Sequence, residues 1–335
     1  MTDAAALHAD AIVIDATCPL AVETRYVDWW RDGGATAIAP TIRGLRGDAR
    51  TSLLEVGGWR RYANGRDDTV IVHAAADIEQ AKRDGKLGLI LHTQGTQLFE
   101  DQLDLVDAFH AAGLRMVQLT YNRKNLVGDG AAERTDAGLS HFGIDLIARL
   151  NELGMVVDCA HTGNRTSLEA VEASTAPVVI SHANAYGLHP NRRNIGDDLI
   201  KAVARSGGLI GTVGFPAFLT AAGQPTLNRF IDDITYKADL VGIDHTGIGI
   251  DYYEGQHPVA DDDDARRQYD ALIQAGLWRA EEYPPPPYRY PTGIETPRTL
   301  PALTARLLER GFDETDVRKV LGGNWMRVFR RVWGA

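Results

Sequence analysis

Two histidines and an aspartate close three short apolar runs in this chain. His161 ends Met155-Val156-Val157-Asp158-Cys159-Ala160-His161, His182 ends Val178-Val179-Ile180-Ser181-His182, and Asp251 follows Thr246-Gly247-Ile248-Gly249-Ile250. Neutral imidazoles that end consecutive strands suit a shared zinc-type ion, and a third ligand with one open position would make that ion catalytic. A carboxylate across from them could ligate the ion or act as acid and base toward an attacking water. Two unrelated hydrogen-bonded histidines and a capping aspartate are the alternative. Looking for polar residues just past apolar runs also selects Asp15, His92-Thr93-Gln94 and Thr120-Tyr121-Asn122. Arg192 and Arg193 lie in the loop after His182. A guanidinium there could clamp a substrate carboxylate through two parallel hydrogen bonds, or simply stand in solvent.

Parallel strands whose C-terminal ends meet at one mouth would position these groups. Candidate strands fall at 12–15, 35–39, 88–92, 115–120, 155–158, 178–181, 209–213 and 246–250. Several are continuously apolar, as strands buried on both faces require. Amphipathic helical patterns occupy 101–112, 142–153, 167–173, 197–206 and 227–241, with Gly113, Gly154, Gly207 and Gly242 where helices should end. Eight strands alternating with helices predict a single α/β domain over residues 1–335, a (β/α)8 TIM barrel, with a doubly wound open sheet as second choice. Residues 252–299 leave the repeat. They hold an acidic run at 261–264 and a proline run at 284–287, flanked by Tyr283, Tyr288 and Tyr290. This insertion is expected to cover the rim or make a dimer contact, with a plain surface loop as the other option. Closing helices are expected over 300–333.

A chain of 335 residues with 44% apolar content suits one such barrel plus an extra segment. Lys plus Arg number 35 against 45 Asp plus Glu, a net charge of −10, which argues against nucleic acid or an anionic membrane as partner. Cys18 and Cys159 make neither a disulfide framework nor a metal motif. The first residues show no basic stretch followed by a long apolar run, and nothing reaches the roughly 18 apolar residues of a membrane span. A soluble, cytoplasmic protein is the expectation.

Ordered sequence blocks resemble the membrane-dipeptidase family. They are Leu119-Thr120-Tyr121-Asn122, GLSHFG at 138–143, LGMVVDCAH at 153–161, APVVISH at 176–182, Arg193-Asn194 with Asp197-Asp198, and VGIDHTGIGID at 241–251. Gly322-Gly323-Asn324-Trp325 resembles the family's terminal helix region, and together the similarity runs through about three-quarters of the chain. The resemblance implies a barrel of the metallo-dependent hydrolase type that cleaves dipeptides at a two-zinc centre, as a homodimer. It matches His161 and His182 to the two histidines of one zinc, and Asp251 to the aspartate that handles protons. Arg193 matches the arginine that holds the substrate carboxylate. Tyr121 stands where some members contact substrate through a histidine, and Asn122 beside it joins the substrate-binding set.

The other half of the centre departs from that pattern. Thr17 and Pro19 occupy the places of a His-x-Asp ligand pair, and Gln94 occupies that of a bridging glutamate. Proline offers no ligand atom, and a neutral amide is a weaker ligand than a carboxylate. The expected activity is therefore dipeptidase-type hydrolysis of a small dipeptide or amide. It would use one divalent ion per subunit, zinc by resemblance, on His161 and His182 with Gln94 as a weak ligand. Cys18 and His92 are candidate substitute ligands. A lyase or isomerase acting on a small carboxylate-bearing metabolite, or a non-catalytic relative, are the other readings.

Overall fold

A computed structural model describes residues 2–42 and 47–334 of the chain. Eight parallel strands make the barrel wall: β1 (Ile14–Cys18), β2 (Ala37–Ile42), β3 (Leu87–Leu89 continued by Leu91–Gln94), β4 (Leu114–Gln118), β5 (Val156–Asp158), β6 (Val178–Val179), β7 (Ile210–Thr212) and β8 (Thr246–Ile248). Each meets one of the stretches expected from sequence. Parallel ladders run unbroken from β1 to β6, a single bridge between Ile180 and Ile210 joins β6 to β7, and β7 pairs with β8.

Glycines at 113, 154, 207 and 242 all adopt positive φ where the helices stop, as the sequence reading required. Two helices between β2 and β3, Ala49–Asn64 and Ala75–Asp84, and an outer strand, Thr69–Ile71, were not foreseen. The first carries Gly57-Gly58 in its middle, which reads locally as a breaker. Its buried Ser52, Val56, Trp59 and Ala63 recur at helical spacing, and that packing outweighs the two glycines. The segment after β8 holds a helix, Asp262–Gln274, and two short strands, Gln256–His257 and Tyr288–Arg289, paired in parallel. No helix among the described residues is long and apolar enough to cross a membrane.

Alternate residues of the wall point to one side. Ile14, Ala16, Ala37, Ala39, Ile90, Met116, Val156 and Val179 pack as a separate apolar cluster with Trp325 and Phe329. These last two belong to the final helix, Asn324–Trp333, and the Trp325 Nε1 donates to the Ile248 carbonyl at 3.0 Å. That helix plugs the barrel from one end. Two residues further along β2, β3 and β5, the same alternation brings Thr41, His92, Gln94 and Asp158, all buried. The interior thus turns from apolar to polar toward the C-terminal ends of the strands.

The seam between β8 and β1 is closed by a side chain. Asp15 Oδ1 accepts from the Ile250 N–H at 2.8 Å and Oδ2 from the Trp30 indole at 2.8 Å, while the Asp251 N–H donates to the Thr17 carbonyl at 3.2 Å. Burial pushes the Asp15 carboxyl up to about 6, against the pull of its donors. A carboxyl raised in the folded state stabilises fully below its unfolded value and loses that contribution as pH rises through about 6. Between about pH 4 and pH 7 the wild type should therefore lose on the order of 3 kcal/mol relative to Asp15→Asn. Urea unfolding of both proteins across that range measures it, and parallel pH profiles would rule Asp15 out as the titrating group.

Candidate active site

The polar ends of the strands converge on one mouth, and the backbone there is unusual. Four non-glycine residues among those described have positive φ, and three of them are Asn122 (58°), His161 (59°) and Asp251 (64°). Such conformations cost on the order of 1–3 kcal/mol each and persist only where surrounding contacts impose them. Here the Ala132 N–H bonds the Asn122 carbonyl at 2.8 Å, and the Ala131 N–H bonds that of His161 at 2.8 Å. The Asp251 carbonyl accepts from the Tyr290 hydroxyl. The left-handed turn at each strand end aims its side chain across the mouth instead of along the strand.

His161 and His182 stand edge to face, with ring centroids 4.8 Å apart, and Tyr121 stacks on His161 at 4.1 Å. Asn122 Nδ2 donates to the Leu277 carbonyl at 3.0 Å, which turns its Oδ1 toward His161 Nδ1 at 2.8 Å. A carbonyl-type acceptor there requires the proton on Nδ1, so Nε2 of His161 keeps its lone pair. His182 Nδ1 is held by the Ser181 hydroxyl at 2.8 Å and the Thr17 hydroxyl at 3.2 Å, and its buried Nε2 has no partner. Burial holds both imidazoles well below their ordinary range, and the Arg193 cation pushes the same way. Both are neutral at physiological pH.

Asp251 is enclosed between these groups and the insertion. Burial raises its carboxyl well above the usual range, Arg193 opposes that rise, and the charges of Asp15 and Glu254 add to it. Arg193 is 2% exposed, with its guanidinium over the Phe218 ring at 5.2 Å. Its Nε donates to the Tyr283 hydroxyl at 3.0 Å, and its Nη2 has no partner. The neighbouring Arg192 points outward toward Glu282 at 3.7 Å, so only one arginine of the pair serves the mouth.

Asp251, His161, Tyr121 and Gln94 line a cavity of about 460 Å3, walled on the far side by Phe215, Trp278 and Tyr283. Arg193 lies directly behind Tyr283, and with His161 it lines a smaller recess of about 320 Å3. Trp278 and Tyr283 were not singled out as site residues from sequence. They come from the insertion, whose aromatic content around the proline run was the signal available. Trp278 Nε1 donates to the Tyr121 hydroxyl at 2.9 Å, so the insertion bonds directly to the mouth.

The fit of a metal ion rests on the donors present. Gln94 spends its amide N–H on Thr41 at 3.1 Å, leaving a neutral carbonyl, and Pro19 lines the cavity without a ligand atom. Cys18 donates its thiol to the Asp15 carbonyl at 3.3 Å, and burial raises its pKa well above normal. His92 is engaged below the mouth with Asp158 at 3.2 Å. Among the described residues no three His, Cys, Asp or Glu side chains are grouped to hold an ion. Two imidazoles, an amide oxygen and the Asp251 carboxyl, which burial raises toward its neutral form, stand beside a buried guanidinium and offer little negative charge to offset a dication. This donor set does not fit a resident divalent ion.

Comparison with known proteins places the chain. The family model described as membrane dipeptidase (peptidase family M19) matches residues 33–282 and 288–334. The crystal structure of an amidohydrolase from Pseudomonas aeruginosa superimposes with a TM-score of 0.88 at 34% identity, covering 100% of both chains. An uncharacterized protein in the pqqA 5' region of Klebsiella pneumoniae is 29% identical over 270 residues, 78% of this chain and 88% of that one. Dipeptidase tcpJ of Claviceps purpurea (strain 20.1) is 27% identical over 79% of this chain but only 56% of its own length. With a barrel of the metallo-dependent hydrolase type, and the family model covering nearly all of it, the chain belongs to the membrane dipeptidase family, peptidase family M19, and is a dipeptidase-like hydrolase.

Proposed function

We propose that this chain hydrolyses a small dipeptide or amide that carries a free carboxylate, using its own acid and base groups at the mouth. Arg193 carries the reading: a buried guanidinium with an unpartnered Nη2, set beside a carboxyl and two neutral imidazoles, calls for an anionic ligand group. A cavity of about 460 Å3 suits a ligand of dipeptide size. The carboxylate would be held at Arg193, with Tyr121 and Asn122 shaping the pocket around the scissile bond. His161 Nε2 would take a proton from the attacking water, while the Nδ1–H bond to Asn122 steadies the imidazolium that forms. Asp251, kept protonated by burial, would donate to the departing nitrogen.

The family's chemistry is metal-dependent, and the sequence pattern suggested one ion on His161, His182 and Gln94. The neutral donor set motivates a route through side chains instead. Elemental analysis of the purified protein should find well under one equivalent of zinc, manganese or cobalt, and a chelator should leave activity unchanged. One full equivalent, removed together with activity, would reinstate the ion. Among the substrates, a panel of L,L and L,D dipeptides and their N-acyl analogues should include at least one that is cleaved. A panel with no turnover ends the hydrolase reading.

The pH profile follows from the two groups. His161 must be neutral, and its lowered value puts loss of activity on the acid side below the ordinary imidazole range. Asp251 must be protonated, and its raised value puts the alkaline loss above the ordinary carboxylate range. A bell-shaped kcat/KM profile is expected, and Asp251→Asn should lower kcat by about 100-fold or more and remove the alkaline limb. An Asp251→Asn enzyme with the full bell would assign the acid elsewhere.

A second reading has its own support. Neutral base and protonated acid at one carboxylate site are also what a lyase or isomerase needs, and neither requires a metal. Turnover in 18O-water separates the two, since hydrolysis alone places solvent oxygen in the product carboxylate. The homodimer implied by the family resemblance belongs to the same proposal and is read by light scattering.

A further inference from the structure

We propose that Tyr283 is a ligand-contacting, specificity-determining residue: its hydroxyl, seated on the Nε edge of Arg193, hydrogen-bonds the carboxylate of the bound ligand together with the adjacent Nη2. The proposal rests on the reading of Arg193 as the carboxylate site. Nε and Nη2 form one edge of the guanidinium fork, the edge that grips a carboxylate with two parallel bonds. In this chain the Nε tooth is already taken by Tyr283 at 3.0 Å, while Nη2 beside it is unpartnered. A ligand therefore cannot use both teeth of this edge directly. It can accept one bond from Nη2 and the second from the phenol that extends the Nε tooth.

The phenol is set up to donate that bond. Its oxygen accepts from Arg193 Nε, and Asn122 Nδ2 approaches it at 3.2 Å. Its own proton finds only Asn122 Oδ1, at a long 3.4 Å, and that oxygen already accepts from His161 at 2.8 Å. A hydroxyl that accepts from a cation is a stronger donor, and here it lines the large cavity. Burial raises the phenol's pKa, so it stays protonated and neutral.

The ring is fixed independently of the hydroxyl. It stacks on Trp278 at 4.2 Å and 7°, and meets Phe215 and Phe218 edge-on at 5.7 and 5.4 Å. Tyr283 also falls in the gap between the two stretches, 33–282 and 288–334, that the family model describes. The second donor of the clamp is thus supplied by the insertion after β8, and with it a preference for ligands whose carboxylate reaches this corner.

The test uses the full-length protein and binding, so that it does not depend on turnover. N-acetyl-D-alanine and N-acetyl-L-phenylalanine, each paired with its carboxamide, are titrated calorimetrically into wild type, Tyr283→Phe and Arg193→Met. Wild type should prefer each acid to its amide. Tyr283→Phe should lose about 10- to 100-fold in affinity for the acids, with the amides unchanged, as expected for one bond to a charged group. Its melting temperature should stay near wild type, because the ring packing is kept. An acid preference that survives Tyr283→Phe but disappears in Arg193→Met overturns the role of Tyr283 and leaves Arg193 standing. Equal weakening of acids and amides in Tyr283→Phe makes the residue merely structural and also overturns it. If wild type shows no acid preference, or binds none of the probes, both assignments fall. If the pattern holds but no substrate is cleaved, the clamp stands and the hydrolase reading falls.

Discussion

A single enclosed cation organises this mouth. The Arg193 guanidinium is cut off from water and has no carboxylate bonded to it, so the groups around it must either be neutral or supply the missing charge. The neutral ones are evident: two imidazoles held well below their usual range, and two phenols, Tyr121 and Tyr283, raised by burial. Asp251 stands between the two cases. Its own burial favours the protonated form, whereas Arg193 favours the anion. An arriving carboxylate would satisfy Arg193 and release Asp251 from that pull, so that ligand binding and protonation of the acid reinforce each other.

The barrel makes this arrangement possible through its interior gradient. Ala16, Ala39 and Ile90 keep the inside dry near the C-terminal helix, and the next inward positions carry Thr41, His92, Gln94 and Asp158. Asp158 is a buried carboxylate held ionised despite its burial. The hydrogen bond from His92 does most of that work, and the N–H groups of Ala160 and Ser181 also bond to it. Its charge opposes the effect of Arg193 on His182. His182 therefore sits between a cation above and an anion below, with its Nδ1 fixed by two hydroxyls.

The wall was legible from sequence because the strands are short, several are continuously apolar, and four of the helices between them end at Gly113, Gly154, Gly207 and Gly242. Buried parallel strands leave that trace whatever their partners. The strand-end polar residues were legible for the same reason, since a parallel barrel sends them to one rim. His161, His182, Asp251, Tyr121, Asn122 and Gln94 do gather there, and Arg193 comes in from its loop. The helix Ala49–Asn64 escaped because Gly57-Gly58 interrupts the local pattern that long-range packing completes. Trp278 and Tyr283 escaped for a different reason. Their role depends on a path across the rim that no local periodicity encodes, and the proline run beside them reads equally well as a surface loop. The state of the imidazoles also lies beyond sequence, because it depends on burial and on a guanidinium more than ten positions away in the chain.

The neutral side chains Thr17, Pro19 and Gln94 at the ends of β1 and β3 are physically consistent with the closure around Arg193. A dication at the imidazoles would repel a guanidinium enclosed nearby, and carboxylates would be needed to hold both charges in a low-dielectric site. Thr17 is bonded to His182, Pro19 lines the cavity and Gln94 is tied to Thr41, so those three positions bring no carboxylate. The insertion closes down on the mouth with aromatic rings and a phenol. Leu277, Trp278, Tyr283 and Tyr290 bond to Asn122, Tyr121, Arg193 and Asp251 respectively. Tyr121 and Asp251 line the large cavity, and Asn122 and Arg193 stand behind its wall. The insertion is therefore part of the cavity wall, with Leu277, Trp278 and Tyr283 facing the same space as the barrel residues beneath them.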